Sequence, residues 1–154
     1  MENGLVLAIC ICPTAGGQME QVPFVQVIAG QGLAGDRYST GEGSFNRGEQ
    51  GRRQVTLING LFFENSGFDF VDSRRNIVTY GVELMWLIGR EFQVGEAKLR
   101  GIKYCDPCNR PTKLSGKCYS FQEAFFDRGG LVAEVTQSGL ISVRSEIIPP
   151  PKGY

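Results

Sequence analysis

The feature that most constrains the fold of this chain is a succession of short apolar or alternating stretches, separated by turn residues such as glycine and proline. Residues 5–12 form a continuous apolar run that ends before Pro13, residues 23–29 predict a second strand, and residues 53–58 alternate as a third. Turn residues recur at intervals of roughly 8 to 12 residues, which is the rhythm of a β-barrel or a β-sandwich. We therefore predict a mostly β fold, a mixed β-barrel with a few short helices.

Two β-hairpins are expected in the second half of the chain. Residues 92–95 and 97–104 predict the first, and residues 131–136 and 140–147 predict the second, across a short turn. The glycine-rich stretch 39–51 predicts a long loop, of the kind that often covers a binding site.

Helix signals are few. Asn59 has the residue type and position of a helix N-cap, and residues 121–126 form a second short-helix candidate. Residues 109–111, Asn-Arg-Pro, are a poor helix start because proline has no N–H and restricts the residue before it. The segment from Cys108 to Ser120 is therefore expected to be polar and irregular.

Length and charge narrow the class of protein. The 154 residues suit one domain, which we place at residues 1–148, followed by a proline-rich tail at 149–154. Lysine plus arginine equals aspartate plus glutamate at 16 each, so no net field favours nucleic acid or an anionic membrane. No run approaches the roughly 20 apolar residues of a membrane span, and the first four residues lack the basic region of a signal peptide. We expect a cytoplasmic protein.

The stretch 103–111, Lys-Tyr-Cys-Asp-Pro-Cys-Asn-Arg-Pro, is the strongest candidate for chemistry. It presents Cys105 and Cys108 on a proline-tightened loop at the end of a predicted strand. A thiolate is a nucleophile or a metal ligand, and the flanking Lys103 and Arg110 could supply the positive field that lowers a thiol pKa. The chain has no histidine, which removes the commonest nitrogen ligand and general base.

Arginines form the densest cationic set, and bidentate guanidinium groups suit phosphate oxygens. Strand alternation places Arg75 and Asn76 on opposite faces, so at most one of them should point into a barrel. Asp36 and Arg37 alone could be a turn with a surface salt bridge of little energetic value. The set consists of Arg37, Arg52, Arg53, Arg74 and Arg75.

Two other chemistries are open for the cysteine pair. A structural zinc site would need Cys118 and one cysteine of the first strand, Cys10 or Cys12, as further ligands. Cys10 and Cys12 themselves are expected to fill the core. A thioredoxin-like redox pair is weaker, because that motif normally begins a helix in a βαβ unit.

Six stretches together resemble the MOSC domain, named after the C-terminal domain of molybdenum cofactor sulfurase. The likeness covers nearly the whole chain in the family's order, although residues 143–145, Val-Arg-Ser, stand where the family often has Val-Gly-Asp. The stretches are 32–38, 51–58, 74–79, 87–95, 105–108 and 128–131.

The resemblance implies a MOSC-type mixed β-barrel that binds or handles the molybdenum cofactor, molybdopterin. In relatives that bind the cofactor, such as the mitochondrial amidoxime-reducing component, the second cysteine of the CxxC block ligates molybdenum. That position here is Cys108, which is the predicted metal ligand and catalytic residue. The predicted cofactor-binding residues are Arg75, Asn76, Thr79, Arg53, Arg37 and Cys105.

Three functions follow from the resemblance. The first is an oxidoreductase component that reduces small N-hydroxylated compounds at a cysteine-ligated molybdenum centre, with electrons from a partner protein. The second is a sulfur or cofactor carrier, in which Cys108 holds a persulfide or hands molybdopterin to a molybdoenzyme partner. The third is a structural zinc-binding or non-catalytic relative.

Overall fold

A computed structural model describes residues 3–40 and 53–151. Most of the predicted loop 39–51, Arg52 and the end of the predicted tail lie outside the described residues. The strands are β1 (Gly4–Ile11), β2 (Glu20–Val22), β3 (Phe24–Ile28), β4 (Gly32–Leu33), β5 (Val55–Asn59), β6 (Ile77–Tyr80), β7 (Glu91–Val94), β8 (Ala97–Tyr104), β9 (Leu131–Gln137), β10 (Gly139–Ser142) and β11 (Glu146–Ile148). The α-helices are α1 (Arg110–Ser115) and α2 (Phe121–Ala124), and 3₁₀ helices span Gly60–Phe63, Phe70–Ser73 and Leu84–Leu87.

The main sheet closes on itself. Its eight strands follow the order β11-β7-β8-β9-β5-β6-β1-β2, and β1 also pairs with β11, so that all strands except β2 form a ring. β5 and β6 run parallel, whereas the other ladders between named strands in the described ranges are antiparallel. The prediction of a mostly β, mixed barrel is confirmed.

The prediction that residues 131–136 and 140–147 form a second hairpin is wrong. β9 pairs with β8 and β5, whereas β10 pairs with β3 in a separate sheet of order β10-β3-β4. The turn between β7 and β8 holds β10 in that place. The Glu96 carboxylate accepts the N–H of Leu140 at 3.1 Å, and the Glu96 N–H donates to the Leu140 carbonyl at 3.1 Å. A second turn then separates β10 from β11, with Arg144 at φ +76°.

Two apolar layers flank the barrel wall. The interior contains aliphatic side chains such as Val6, Leu57 and Leu99, all fully buried. Outside the wall, an aromatic cluster packs α2 and its flanking loops against β5 and β6, and the Phe121 and Phe125 rings stack with centroids 4.4 Å apart. Each of these two fully buried phenylalanines contributes about 1.5–3 kcal/mol of stability. The cluster therefore anchors the chain that follows the cysteine loop.

Two helix predictions are confirmed and one is wrong in part. Asn59 is an N-cap, since its Oδ1 accepts the Leu61 N–H at 3.0 Å, and α2 forms within the predicted stretch. The prediction of an irregular segment after Cys108 is wrong in part, because α1 forms there. Pro111 lies in the first turn, where an N–H has no intrahelical partner to lose, and Gly116 ends the helix at φ +73°. No helix among the described residues is long and apolar enough to cross a membrane.

Candidate functional site

The loop between β8 and α1 places its two thiols in different environments. Cys105 is fully buried, its N–H donates to the Gly130 carbonyl at 2.9 Å, and its Sγ accepts a contact from the Arg53 guanidinium at 3.6 Å. Cys108 is exposed. Of the two cysteines, Cys108 is therefore the one that a ligand can reach without rearrangement of the protein.

The cysteine loop rests directly on the turn before β9. A Cβ at Gly129 would overlap the Cys105 carbonyl oxygen and lie 2.8 Å from Pro107 Cδ, so this contact requires glycine. Arg75 joins the two segments, because its Nε donates to the Gly129 carbonyl at 2.8 Å and its Nη2 to the Asp106 carbonyl at 3.4 Å. The backbone that presents Cys108 is thus fixed on one side.

Cys108 opens into a narrow space that we call the arginine recess. Gly16, Tyr38 and Pro111 complete its wall. A larger space of about 430 Å³, which we call the side cleft, adjoins the recess and shares Gly16 and Arg74 with it. The arginines of the recess are Arg37, Arg53, Arg74, Arg75 and Arg110.

The Arg37 side chain is buried, and its guanidinium donates to groups of the protein itself. Its Nη1 lies 3.0 Å from Asp36 Oδ1, and its Nη2 donates to the Tyr38 hydroxyl and to the Arg74 carbonyl, both at 3.1 Å. Asp36 also accepts the Cys12 N–H at 2.9 Å. The expectation of a surface salt bridge is wrong, because the Asp36 and Arg37 side chains are 0% and 5% exposed.

Each nitrogen of the Arg75 guanidinium donates to a backbone carbonyl. In addition to the Gly129 and Asp106 carbonyls, its Nη1 donates to the Ser73 carbonyl at 3.3 Å. Arg53 also lines the recess and is half-buried, with Nη1 against Cys105 Sγ. Both guanidinium groups bring positive charge to the recess, and Arg75 does so while it supports the cysteine loop.

Asn76 and Thr79 lie within the barrel wall. The Asn76 Nδ2 donates to the Cys10 carbonyl at 3.1 Å, and its Oδ1 accepts the Thr56 N–H at 3.0 Å. The Thr79 hydroxyl donates to the Ile58 carbonyl at 3.3 Å. Arg75 and Asn76 precede β6 and are both buried, so the alternation argument does not apply to them. The cofactor role of Asn76 and Thr79 stays a prediction.

Arg74 belongs to the predicted cationic set but not to the predicted ligands. Its Nη1 donates to the Gly17 carbonyl at 2.8 Å, and its Nη2 lies 3.7 Å from Cys12 Sγ. Burial lowers the pKa of the Arg74 guanidinium, and the charges of Arg37 and Arg110 lower it further. The recess thus holds crowded positive charge, which an anion would relieve.

Arg110 is the second residue that sequence reasoning did not assign to binding. It is exposed at the first position of α1, two residues beyond Cys108. In the part of the chain that the structure describes, it forms no hydrogen bond or ion pair. The signal was its spacing from Cys108, but without α1 there was no reason to direct it into a pocket.

The described residues do not support the zinc alternative. Within 3–40 and 53–151, no three cysteine, aspartate or glutamate side chains are grouped as metal ligands. Cys10 and Cys12 are buried, as expected for core residues, and burial raises the pKa of Cys10 to about 12. Cys118 is exposed beyond α1.

The site can hold a soft metal and an anion side by side. Thiolate sulfur suits soft metal ions, and guanidinium groups suit phosphate or carboxylate oxygens. Cys108 is two residues from Arg110 and shares the recess wall with four more arginines. The donor set therefore fits a group that carries both a thiophilic metal and a phosphate.

Solved structures share this fold. The YuaD protein of Bacillus subtilis superposes with a TM-score of 0.73 at 17% identity, covering 95% of this chain and 94% of that one. YiiM of Geobacillus stearothermophilus gives 0.70 at 14% identity, covering 97% and 76%, and YiiM of Escherichia coli gives 0.63 at 15%, covering 99% and 72%. No curated protein matches in sequence.

A family model matches residues 54–147, which is more than half of the 154-residue chain. The matched segment runs from the start of β5 into β11 and includes the cysteine loop, Arg74, Arg75 and Arg110. Its description is the MOSC domain, the family whose blocks the sequence resembled. The chain belongs to the MOSC domain family.

Proposed function

We propose that this protein binds the molybdenum cofactor through Cys108 and acts as the molybdenum component of a reductase for small N-hydroxylated compounds. The observation that carries the proposal is the difference between the two thiols of the loop. Cys108 is exposed and opens into the arginine recess, whereas Cys105 is buried behind it. Cys108 is therefore the ligand and Cys105 a packing residue.

The residues present fit this cofactor. Cys108 offers the soft sulfur that molybdenum takes, and it does so from a loop with little freedom to move. The arginines offer charge-assisted hydrogen bonds to a pterin phosphate, with Arg74 better placed than Arg37 and Arg75, whose donors each have several protein acceptors. The fixed backbone pre-organises this set before a ligand arrives.

The reaction balances with a partner protein as electron source. Reduction of an N-hydroxylated compound breaks the N–O bond, consumes two electrons and two protons, and releases the amine and water. The bound molybdenum centre supplies the two-electron chemistry. The chain's residues anchor the group at Cys108, neutralise anionic charge with the recess arginines, and hold the loop through Arg75.

The same exposed thiol favours one second candidate, a sulfur carrier. A donor persulfide would pass its outer sulfur to Cys108, leaving the donor as a thiol and Cys108 as a persulfide. Arginines around the recess would stabilise the anionic persulfide. This candidate needs the exposed Cys108 and its positive field, but no metal.

Metal and pterin analysis tests the proposal. The protein is purified from a host that makes the cofactor, as wild type, Cys108→Ser, Cys105→Ser and Cys118→Ser. We expect molybdenum and pterin in the wild type, their absence in Cys108→Ser, and partial retention in Cys105→Ser. Cys118→Ser is the matched control, because it removes the other exposed thiol and should leave retention unchanged.

Three other outcomes would contradict the proposal. Equal loss in Cys105→Ser and Cys108→Ser would point to a dithiol site. Zinc near one equivalent would make the cysteines structural. If neither metal nor pterin is found, mass spectrometry of Cys108 after incubation with a persulfide donor decides whether the sulfur-carrier candidate replaces the reductase.

A further inference from the structure

A further cavity lies apart from the arginine recess and the side cleft and shares no lining residue with either. It has a volume of about 280 Å³. Its wall is formed by the end of β5 at Asn59, the start of the 3₁₀ helix Leu84–Leu87 and the turn 127–130 that precedes β9. We call this cavity the turn pocket. Because it is separate from the space around Cys108, it is available to a ligand other than the cofactor or its substrate.

The inner wall of the turn pocket is apolar. Leu84 is buried in the barrel core, Met85 packs against the same core, and Phe62 packs against the aromatic cluster outside the barrel wall. These contacts hold the wall in place before a ligand arrives, which lowers the entropy cost of binding. The volume is slightly below the range of drug-sized ligands and suits a molecule about as large as one amino acid.

Charges of both signs stand at the rim of the turn pocket. Glu83, Asp127 and Arg128 line it and are all exposed. Within residues 3–40 and 53–151, none of the three forms an ion pair, although opposite charges border the same small space. The Arg128 guanidinium instead lies over the Phe62 ring, 4.6 Å from its centroid. A ligand with one positive and one negative group can therefore pair with both signs at once.

The charged groups are carried by backbone that is held in place. In the turn, the Arg128 N–H donates to the Phe125 carbonyl at 2.8 Å, and the Gly129 N–H donates to the Tyr104 hydroxyl at 3.3 Å. Glu83 precedes a 3₁₀ helix and caps it, since its Oε1 accepts a backbone N–H at 3.4 Å. The second carboxylate oxygen of Glu83 remains available to a ligand.

The balance of charge selects among classes of small ligand. Two carboxylates and one guanidinium give the rim one net negative charge, which disfavours a simple anion such as phosphate. An amine without a carboxylate would leave Arg128 without an acidic partner. A zwitterion gives each charged group of the rim a charge-assisted hydrogen bond, and an apolar side chain on the zwitterion would cover the inner wall.

We propose that the turn pocket binds a free α-amino acid with a large apolar side chain, such as phenylalanine or methionine. The carboxylate of the ligand pairs with Arg128, and its ammonium group pairs with Glu83 and Asp127. Its side chain packs against the apolar inner wall. This site does not rest on the proposed function, because no residue of the turn pocket lines the recess that holds Cys108.

Calorimetric titration with matched probes tests the proposal. L-phenylalanine carries both charges, 3-phenylpropionate lacks the ammonium group, and phenethylamine lacks the carboxylate. We expect L-phenylalanine to bind the wild type about tenfold or more tightly than either of the other two, as a charged hydrogen bond implies.

Variants assign the contacts. Arg128→Gln should reduce the preference for L-phenylalanine over phenethylamine to near unity, and Arg128→Lys, which keeps the charge, should restore part of it. Glu83→Gln should reduce the preference over 3-phenylpropionate. Arg100→Gln is the matched control, because it removes an exposed arginine that does not line the pocket and should leave binding unchanged. Circular dichroism of each variant shows whether it is folded.

Several results would overturn the proposal. One is the absence of binding by the wild type to both L-phenylalanine and L-methionine at about 10 mM. Another is equal binding of the three probes, or an equal loss of affinity in Arg100→Gln and in folded Arg128→Gln. Cys108→Ser should bind L-phenylalanine as the wild type does, and a loss of binding there would move the ligand to the recess. Amino-acid binding by a wild type that carries no molybdenum would support the proposal while the proposed function fails.

Discussion

The arginine recess has a floor and a rim, which differ although each contains arginine and cysteine. We use floor for the buried recess arginines Arg37 and Arg75 together with the buried residues beside them, Asp36, Asn76 and Cys105. We use rim for the exposed Cys108 and Arg110. Each polar floor side chain contacts protein groups, while the rim side chains face the open space. We therefore expect the floor to contribute to folding and the rim to ligand binding. Proximity to the site does not by itself make a residue a ligand.

The largest expected contrast is in thiol reactivity. Cys108 and Cys118 are exposed, whereas Cys10, Cys12 and Cys105 are buried, and burial keeps the Cys10 thiol protonated with its pKa at about 12. At neutral pH, iodoacetamide should alkylate the two exposed thiols roughly a thousandfold or more faster than the buried three, which require unfolding. Mass spectrometry of peptides from native and denatured protein measures the rates. Rapid labelling of Cys105 would remove the distinction between floor and rim.

The next largest effect is expected at the buried ion pair. Asp36→Ala leaves Arg37 charged, buried and without its carboxylate, and should lower the free energy of unfolding by about 3–5 kcal/mol. Urea denaturation followed by circular dichroism measures it. The control is Glu134→Ala, which breaks an exposed pair with Arg100 at 3.7 Å and should change stability by about 1 kcal/mol or less. Equal effects would mean that burial does not strengthen the floor pair.

A smaller effect is expected at Asn76. Asn76→Ala removes the acceptor of the Thr56 N–H and the donor to the Cys10 carbonyl, both buried between strands. The expected loss of stability is about 1–3 kcal/mol, which is the cost of an unsatisfied buried group. The same denaturation experiment applies. Unchanged stability together with loss of the cofactor would instead make Asn76 a ligand, as the resemblance implied.

Much of the barrel could be predicted because strand signals are local. The runs that became β1, β3, β5 and the β7–β8 hairpin each carry their own apolar pattern and turn residues. The pairing of β10 could not be predicted in this way, because a Glu96 side chain and a distant strand determine it. Local pattern also could not show that Pro111 lies in the first turn of a helix, where it is tolerated.

The candidate site, like the fold, could be predicted from the sequence only in part. The family resemblance drew attention to Cys108, and the density of arginine drew attention to the recess. What remained hidden was which guanidinium groups the protein itself uses. Arg37 and Arg75 look like ligands in the sequence and bind carbonyl or carboxylate groups in the fold, whereas Arg110 looked like a flanking charge. That distinction depends on contacts between segments more than 30 residues apart, such as Arg37 with Arg74 and Arg75 with Gly129.

The closure of the barrel affects how the protein is made. Gly4 of β1 pairs with Ile147 of β11, so closure of the ring joins the two strands that are farthest apart in the sequence. Contacts between residues far apart in the sequence slow folding. During synthesis, the edge of β1 that pairs with β11 stays unpaired until residue 148 has left the ribosome. An unpaired strand edge can form hydrogen bonds with another chain. A chain released before residue 146 would expose the edges of both β1 and β7, which makes it a target for chaperones and proteases. Closure of the ring thus depends on synthesis through β11.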